Sequence, residues 1–222
     1  MNRTKIDWCD YTWNPVVGCT NGCPWCYARR FAKRLKCPQC RAFIPHLHPE
    51  RMVDPLEVKK PSLIFAGSMC DFADAKADEA WFGFAMAAMR LCPQHQFVVL
   101  TKHPIRLANF ITGNRPDNLH TGVSISAEAD AGRVWDIFGE RGGCVVSFEP
   151  AVGPVDWTPA LIQRRISWLI IGAQTGPGAK PVDRDIVASA VDLARAARVP
   201  AWVKDNVAQQ LPEFAGLQER PF

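Results

Sequence analysis

The sequence predicts an α/β fold, because short apolar strands alternate along it with segments rich in helix-forming residues. A first strand is predicted to end at 16–18, and further strands are predicted at 63–68, 97–102, 121–126, 144–150, 168–172 and 201–204. Helices are predicted at 26–36, 77–91, 127–138 and 184–197. Continuous apolar runs between turn residues are typical of parallel strands buried on both faces. Six or seven such βα units indicate a barrel or part of one, with a doubly wound open sheet as the alternative.

Length and composition favour one domain. The chain has 222 residues, 48% of them hydrophobic, which is enough for one sizeable core. We expect a single domain over residues 1–210, with a small Cys/His insertion at about 37–50 and a C-terminal tail at 211–222. The net charge of +4 is too small to indicate nucleic-acid binding by itself. The dense basic residues between 29 and 41 indicate either a basic face near the cysteines or, as the favoured interpretation, a solvated helix surface.

The nine cysteines are explained better by metal binding than by disulfide bonds. The first residues lack the apolar core of a cleavable signal, and no apolar run approaches the roughly 20 residues of a membrane span. We therefore expect a cytoplasmic protein without membrane contact, since a reducing compartment keeps thiols available for metals.

Three of these cysteines, Cys19, Cys23 and Cys26, lie at C-x3-C-x2-C spacing between the first predicted strand and the helix at 26–36. Thiolates this close together can converge on one inorganic cluster. A four-iron cluster usually takes four cysteines, so three would leave one iron open to a small molecule. A structural zinc site with a fourth ligand elsewhere is the alternative.

A second group follows directly, with Cys37 and Cys40 at C-x2-C spacing and His46 and His48 close behind. This arrangement is typical of zinc sites, and histidine favours zinc over a second iron–sulfur cluster. The alternative is a solvent-facing loop with ordinary thiols.

Polar side chains stand at nearly every predicted strand end. Sites in parallel α/β folds lie at the carboxyl ends of strands, so these side chains are candidates for one site, although any single one could be a loop residue or a helix cap. They are Ser68, Asp71, Lys102, Ser124, Ser126, Glu149, Gln174 and Lys204.

Taken in order, the motifs resemble a phage-associated, radical-SAM-like family of uncharacterised proteins. The matching segments are 5–8, 12–15, 19–28, 48–50, 68–71, 100–102, 122–124, 149–154 and 176–181. The resemblance extends from about residue 5 to residue 204. The series as a whole is specific to the family, whereas the cysteine triplet alone is specific only to the radical S-adenosylmethionine superfamily.

The resemblance implies a partial TIM-like (β/α)6 barrel in which Cys19, Cys23 and Cys26 ligate a [4Fe–4S] cluster. In that superfamily the open iron binds S-adenosylmethionine, which is reductively cleaved to a 5′-deoxyadenosyl radical. By the same resemblance, cofactor contacts are expected from Trp25 at the adenine, Ser68 and Asp71 at the methionine amino group, Ser124 at the ribose, and Tyr27, Ser126 and Gln174. Lys102, Glu149 and Lys204 are the catalytic candidates on the rim.

One position and one short segment depart from the pattern that the resemblance implies. Ser126 replaces an acidic residue, and Gly172, Ala173, Gln174 and Thr175 stand where Gly-Gly-Glu-Ser is usual. The sequence therefore predicts a radical enzyme that abstracts hydrogen from an unidentified substrate, with DNA or RNA as one candidate, and takes its electron from a reductase or flavodoxin-like donor. The alternative is a zinc-stabilised, non-catalytic nucleic-acid-binding protein of phage or mobile-element origin.

Overall fold

The computed structural model describes residues 1–137, 143–158 and 164–222 and has a mixed α/β architecture. In chain order the strands are β1 Asn2–Arg3, β2 Tyr11–Trp13, β3 Val16–Val17, β4 His46–Leu47, β5 Leu63–Ala66, β6 Gln96–Thr101, β7 Leu119–Ile125, β8 Cys144–Phe148, β9 Ile166–Ile171 and β10 Ala201–Val203. Eight of them form a mostly parallel sheet in the order β1-β2-β5-β6-β7-β8-β9-β10, whereas β3 and β4 pair separately. The described strands close no barrel, because β1 and β10 are the two edges of this sheet.

The α-helices are on average shorter than the helices predicted from the sequence. They are α1 Tyr27–Ala32, α2 Pro38–Ala42, α3 Asp54–Glu57, α4 Glu79–Arg90, α5 Pro104–Ile111, α6 Arg133–Asp136, α7 Arg184–Ala196 and α8 Asp205–Ala208. Short 3-10 turns occupy Pro49–Arg51, Glu128–Asp130 and Pro212–Phe214. In the part of the chain that the structure describes, none of the helices combines the length and apolarity needed to cross a bilayer.

The chain divides into two compact units, an N-terminal unit of Met1–His120 and a C-terminal unit of Thr121–Phe222. In the N-terminal unit, Trp13, Ile64 and Phe97 are fully buried side chains of successive parallel strands. Helix α4 covers this core with Phe82 and Met89, and Asp78 begins the helix by accepting a hydrogen bond from the Ala80 N–H at 2.9 Å.

The C-terminal unit has its own core. Phe148 and Trp168 are fully buried, and α7 buries Val187 and Val191. The end of the chain packs on this unit: the Trp168 indole N–H donates to the Glu219 carbonyl at 2.8 Å, and the Phe222 ring lies 5.6 Å from the Trp168 ring. The segment expected to be a tail thus has specific contacts here, while the single domain over 1–210 stays a prediction.

The strands predicted from 63 onward are confirmed to within a few residues, but the first strand is not where the sequence indicated. The first parallel strand is β2, and Val16–Val17 pairs antiparallel with His46–Leu47 instead. Pro15 separates the two segments and has no N–H to offer a ladder, so the main-sheet strand ends before it.

Two helix predictions also need correction. Tyr27, Phe31 and Leu35 recur at i, i+4 and i+8, which predicts an apolar stripe on this helix. Tyr27 and Phe31 are 46% and 51% exposed, however, and α1 buries Ala28 and Ala32 instead. The single helix expected at 127–138 is a 3-10 turn followed by the short α6, and position 138 lies outside the described residues.

His120 in β7 makes stability depend on pH. Burial lowers the pKa of His120 to about 4, and repulsion from Arg115 contributes to the shift. The unfolded chain binds the proton near pH 6.5, so stability is present above that pH and is lost as the pH falls towards 4. We expect the wild type to lose about 2 kcal/mol between pH 7 and 4.5 through this residue, a loss that His120→Gln removes. Urea titrations of both proteins at the two pH values measure the difference, and an identical decline in both would contradict the prediction.

Candidate functional site

Four metal-ligand side chains from one short segment of the N-terminal unit meet at a point. Cys37 immediately precedes α2, Cys40 lies within it, and His46 and His48 lie in and just after β4. The Cys40 Sγ atom is 3.4 Å from His46 Nε2 and 3.2 Å from His48 Nε2, and Cys37 Sγ is 3.6 Å from His46 Nε2. Tetrahedral zinc, with bonds of about 2.3 Å to sulfur and 2.0 Å to nitrogen, places neighbouring ligand atoms about 3.5 Å apart. This Cys2His2 group can therefore hold a zinc-like metal, as its spacing predicted.

The two histidines are oriented for this purpose by their other ring nitrogens. His46 Nδ1 lies 2.7 Å from the Ile44 carbonyl oxygen, and His48 Nδ1 lies 3.0 Å from Glu50 Oε1. Metal-binding histidines typically donate this second N–H to a carbonyl or carboxylate, which fixes the tautomer and leaves the facing nitrogen free for the ion. The group thus has the outer contacts of a metal site as well as the ligands.

The thiols of this group differ in acidity. The backbone N–H of Cys40 lowers the pKa of Cys37 to about 7, whereas burial raises the pKa of Cys40 to about 11. A metal ion binds cysteine as the thiolate, so metal binding must release the Cys40 proton at neutral pH.

The three cysteines at 19, 23 and 26 form a second feature, which we call the three-cysteine loop (residues 18–26). All three are free thiols and partly exposed. Cys26 begins α1, where its Sγ accepts a hydrogen bond from the Arg29 N–H at 3.3 Å. Burial, reinforced by Asp71 and Asp74, raises the pKa of Cys19 to about 12, so Cys19 is a protonated thiol unless a metal displaces the proton.

Two buried carboxylates after β5 anchor this loop. The Thr20 N–H donates to Asp74 Oδ2 at 2.6 Å and the Thr20 hydroxyl donates to the same carboxylate at 2.9 Å. Asn21 Nδ2 donates to Asp71 Oδ2 at 3.1 Å, and the Gly18 N–H donates to the Met69 carbonyl at 3.0 Å. The loop is therefore fixed to the carboxyl end of β5, on the side of the strand where sites of parallel sheets occur.

Asp71 links the loop to the next strand as well. Its carboxylate accepts hydrogen bonds from the Thr101 hydroxyl at 2.7 Å, the Lys102 N–H at 2.9 Å and the Ala73 N–H at 3.0 Å. His103 Nε2 lies 2.5 Å from Asn21 Oδ1. The ends of β5 and β6 and the three-cysteine loop are thus joined through one side chain.

Other predicted residues of this unit lie around the same network. The Tyr27 hydroxyl donates to the Ser68 carbonyl at 2.7 Å, and Asn14 Nδ2 donates to Ser68 Oγ at 3.0 Å. Trp25 is partly exposed, and its carbonyl accepts a hydrogen bond from Arg30 at 3.0 Å. The side chain of Lys102 is partly exposed beyond its backbone contact with Asp71.

The C-terminal unit brings together two of the three catalytic candidates. Lys204 Nζ and Glu149 Oε1 form an ion pair at 2.5 Å, with the side chains 14% and 27% exposed. Gly172 allows this arrangement, since a Cβ there would lie 2.7 Å from Glu149 Cδ. The remaining candidates of this unit have separate partners.

Two of those partners are side chains and the third is a backbone N–H. The Ser124 carbonyl accepts from Arg133 at 2.7 Å, the buried Ser126 donates its N–H to Asp130 at 2.9 Å, and Gln174 Oε1 accepts from the Lys180 N–H at 3.4 Å. Ser124 and Ser126 thus flank one loop of this unit, and Gln174 flanks another.

Sequence reasoning missed Asp74, Thr20, Asn21 and His103. Asp74 is fully buried; its burial would raise its pKa, but hydrogen bonds from Thr20 and Lys76 outweigh this and lower it. The spacing Asp71-x2-Asp74 after a predicted strand was the available signal, because two acidic residues at a strand end usually have a partner.

We expect the protein to bind one metal ion per chain at the Cys2His2 group. Removing zinc with a chelator, or substituting Cys40→Ser, should lower the unfolding free energy by at least about 2 kcal/mol, because the metal binds the folded state alone. Metal analysis and thermal melts measure both effects. Cys92→Ala, which alters a buried thiol outside both cysteine motifs, should keep the metal, and full zinc retention in Cys40→Ser would contradict the assignment.

Comparison with known proteins places the chain in a family. Residues 3–212 match the family model described as protein of unknown function (DUF5131). No curated protein and no solved structure matches the chain. Since the match covers nearly the whole sequence, the chain belongs to this DUF5131 family of proteins of unknown function.

Proposed function

We propose that the chain is a radical S-adenosylmethionine enzyme whose [4Fe–4S] cluster is held by Cys19, Cys23 and Cys26. The observation that carries the proposal is the setting of these thiols. They are free, partly exposed and gathered in one loop, and that loop is anchored through Asp71 and Asp74 to the carboxyl ends of parallel strands.

The zinc-like group does not account for these three cysteines. Cys37, Cys40, His46 and His48 already supply the four ligands of a structural zinc site. Among the described residues, this is the one set of three or more cysteine, histidine or acidic residues whose ligand atoms lie within 4.8 Å of one another. Thiolates of a four-iron cluster bind different iron atoms, so Cys19, Cys23 and Cys26 would each bind a separate iron.

The chain's residues would bind and orient the cofactors. When bound, the cluster and S-adenosylmethionine supply a 5′-deoxyadenosyl radical for hydrogen abstraction. Trp25 lies within the loop, and Tyr27 and Ser68, which are hydrogen-bonded to each other, lie beside it; the proposal assigns these three residues to the cosubstrate. Asp71 already accepts four hydrogen bonds, about the capacity of a carboxylate, so a methionine amino group would have to replace one of these donors.

Residues of the C-terminal unit complete the proposal. Lys204 is neutralised by Glu149, so a substrate carboxylate or phosphate would compete with Glu149 for the ammonium group. Lys102 is the third catalytic candidate, and Ser124, Ser126 and Gln174 are the further cofactor candidates. The partial (β/α)6 barrel and an external electron donor of the reductase or flavodoxin type belong to the same proposal.

Anaerobic reconstitution with iron and sulfide tests it. We expect the wild type to turn brown, to bind about four iron atoms in addition to zinc, and to release 5′-deoxyadenosine from S-adenosylmethionine under dithionite. Cys23→Ala should lose the visible absorbance and the product, because it removes one of three thiolate ligands. Cys92→Ala is the matched control and should retain both, whereas full iron retention in Cys23→Ala would exclude the assignment.

A second candidate function, nucleic-acid binding, rests on a separate observation. No acidic residue occurs between Asp10 and Glu50, a segment with six lysines and arginines against a net charge of +4 for the whole chain. Four of these are exposed, namely Lys33, Arg34, Lys36 and Arg41. Tyr27 and Phe31, half exposed on α1, offer rings on which bases could stack.

Measuring the affinity for single-stranded and duplex DNA and RNA at several salt concentrations tests this candidate function. The double substitution Lys33→Glu with Arg34→Glu should weaken binding and reduce the salt slope by about two, because two phosphate contacts are lost. The matched control is Lys59→Glu with Lys60→Glu, which reverses two exposed charges in the same unit outside this segment. Equal losses in both double variants, or binding that does not depend on salt, would reject a specific interface.

A further inference from the structure

We propose that the Cys2His2 metal centre positions the three-cysteine loop, so that an ion bound at Cys37, Cys40, His46 and His48 fixes where Cys19 and Cys26 lie. The two features belong to different motifs and would use different metals. They are nevertheless joined within the N-terminal unit by backbone pairing, by a direct hydrogen bond and by a shared core.

The backbone pairing connects the metal ligands to the start of the loop. His46 pairs with Val17 in the β3–β4 ladder, and Val17 is two residues before Cys19. The His48 N–H donates to the Pro15 carbonyl at 2.7 Å. Both histidine ligands are therefore bonded through their backbone to the strand that leads into the loop.

A second connection runs from α2, which carries Cys40. The helix ends at Ala42 and is capped by Phe43, whose backbone is left-handed (φ 56°) and whose carbonyl accepts the Cys19 N–H at 3.2 Å. Arg29 donates to the Cys19 carbonyl at 3.1 Å while its guanidinium lies 5.1 Å from the centre of the Phe43 ring. The N–H of Cys19 is thus bound directly by the segment that the metal would order. Its carbonyl is bound by Arg29, which packs on the same segment.

The approach of the two segments leaves no room for a side chain at Gly18. Its backbone has φ +103°, and a Cβ there would lie 2.3 Å from the Ile44 carbonyl carbon and oxygen. This contact requires Ile44 to stay where it is, and Ile44 lies between ligands Cys40 and His46. A metal bound by both Cys40 and His46 therefore also fixes the position of the Ile44 backbone that Gly18 contacts.

The core that the two features share is small. Val17, Ala28, Ala32, Cys40, Phe43 and Met69 form it, and Cys19, Cys26, Leu35 and Cys37 pack against it. Small apolar clusters commonly depend on a metal or a disulfide for order, and no disulfide links the nine cysteines, all of which lie in the described residues. Loss of the metal is therefore expected to loosen Cys19 and Cys26 before the rest of the chain.

Alkylation of the iron-free protein, followed by residue-resolved mass spectrometry, tests the proposal without any assumption about iron. Zinc is removed with a chelator and cobalt is then titrated back, since tetrahedral Co²⁺ bound to thiolates has a visible band. We expect alkylation of Cys19 and Cys26 to be on the order of tenfold faster without metal. Protection should return in proportion to the cobalt band and saturate at one ion per chain.

Two controls separate local positioning from general stability. Cys92 and Cys144 are buried outside this core, and they should stay slow to react throughout. In the Cys40→Ser variant, Cys19 and Cys26 should be alkylated rapidly whether or not metal is added. Unchanged Cys19 and Cys26 rates on metal removal would overturn the proposal, and so would a rise at Cys92 and Cys144 equal to theirs.

A second arm uses iron and rests on the proposed function. Chelated protein should take up less iron on anaerobic reconstitution than zinc-loaded protein, and added zinc should restore the uptake. If alkylation responds to the metal but zinc-loaded protein binds no iron, the cluster assignment fails while the positioning role stands. If alkylation does not respond but iron binds, the positioning role fails alone.

Discussion

The hydrogen bonds from the three-cysteine loop to Asp71 and Asp74 are the interaction on which the candidate site depends. Both carboxylates are buried, at 5% and 0% exposure, and a buried charge without partners would cost several kcal/mol. Hydrogen bonds to charged groups contribute about 1.5–3 kcal/mol each, so Thr20 and Asn21 offset that cost. The same bonds that stabilise the carboxylates therefore determine the path of the loop, and a change in the loop sequence would also affect the sheet end.

The strands and the metal ligands could be predicted from the sequence because both depend on local patterns. Apolar runs between turn residues define β5 to β10, and the C-x2-C and H-x-H spacings bring four ligands together within 12 residues. Local spacing also identified the three-cysteine loop, since its three thiols lie within eight residues of one another.

Long-range contacts explain what the sequence did not reveal. Thr20 and Asp74 are 54 residues apart, and Asn21 and His103 are 82 residues apart, so neither pair leaves a local pattern. The orientation of α1 has the same origin. Its periodicity favoured burial of Tyr27 and Phe31, but the contacts with β3 and α2 leave space only for the alanines at 28 and 32.

The residues at 172–174 have a physical explanation in the C-terminal unit. Gly172 is required because the Glu149 side chain of the ion pair occupies the place of a Cβ, whereas the next position has no such demand. Ala173 is 1% exposed, and its N–H and carbonyl both bond to the side chain of Asn206, at 3.2 and 3.1 Å. Alanine therefore fits at this buried position, and the adjoining Gln174 accepts a backbone hydrogen bond from Lys180 with its neutral amide. The ion pair between Glu149 and Lys204 therefore depends on the absence of a side chain at position 172, whereas the two positions that follow are held by contacts with Asn206 and Lys180.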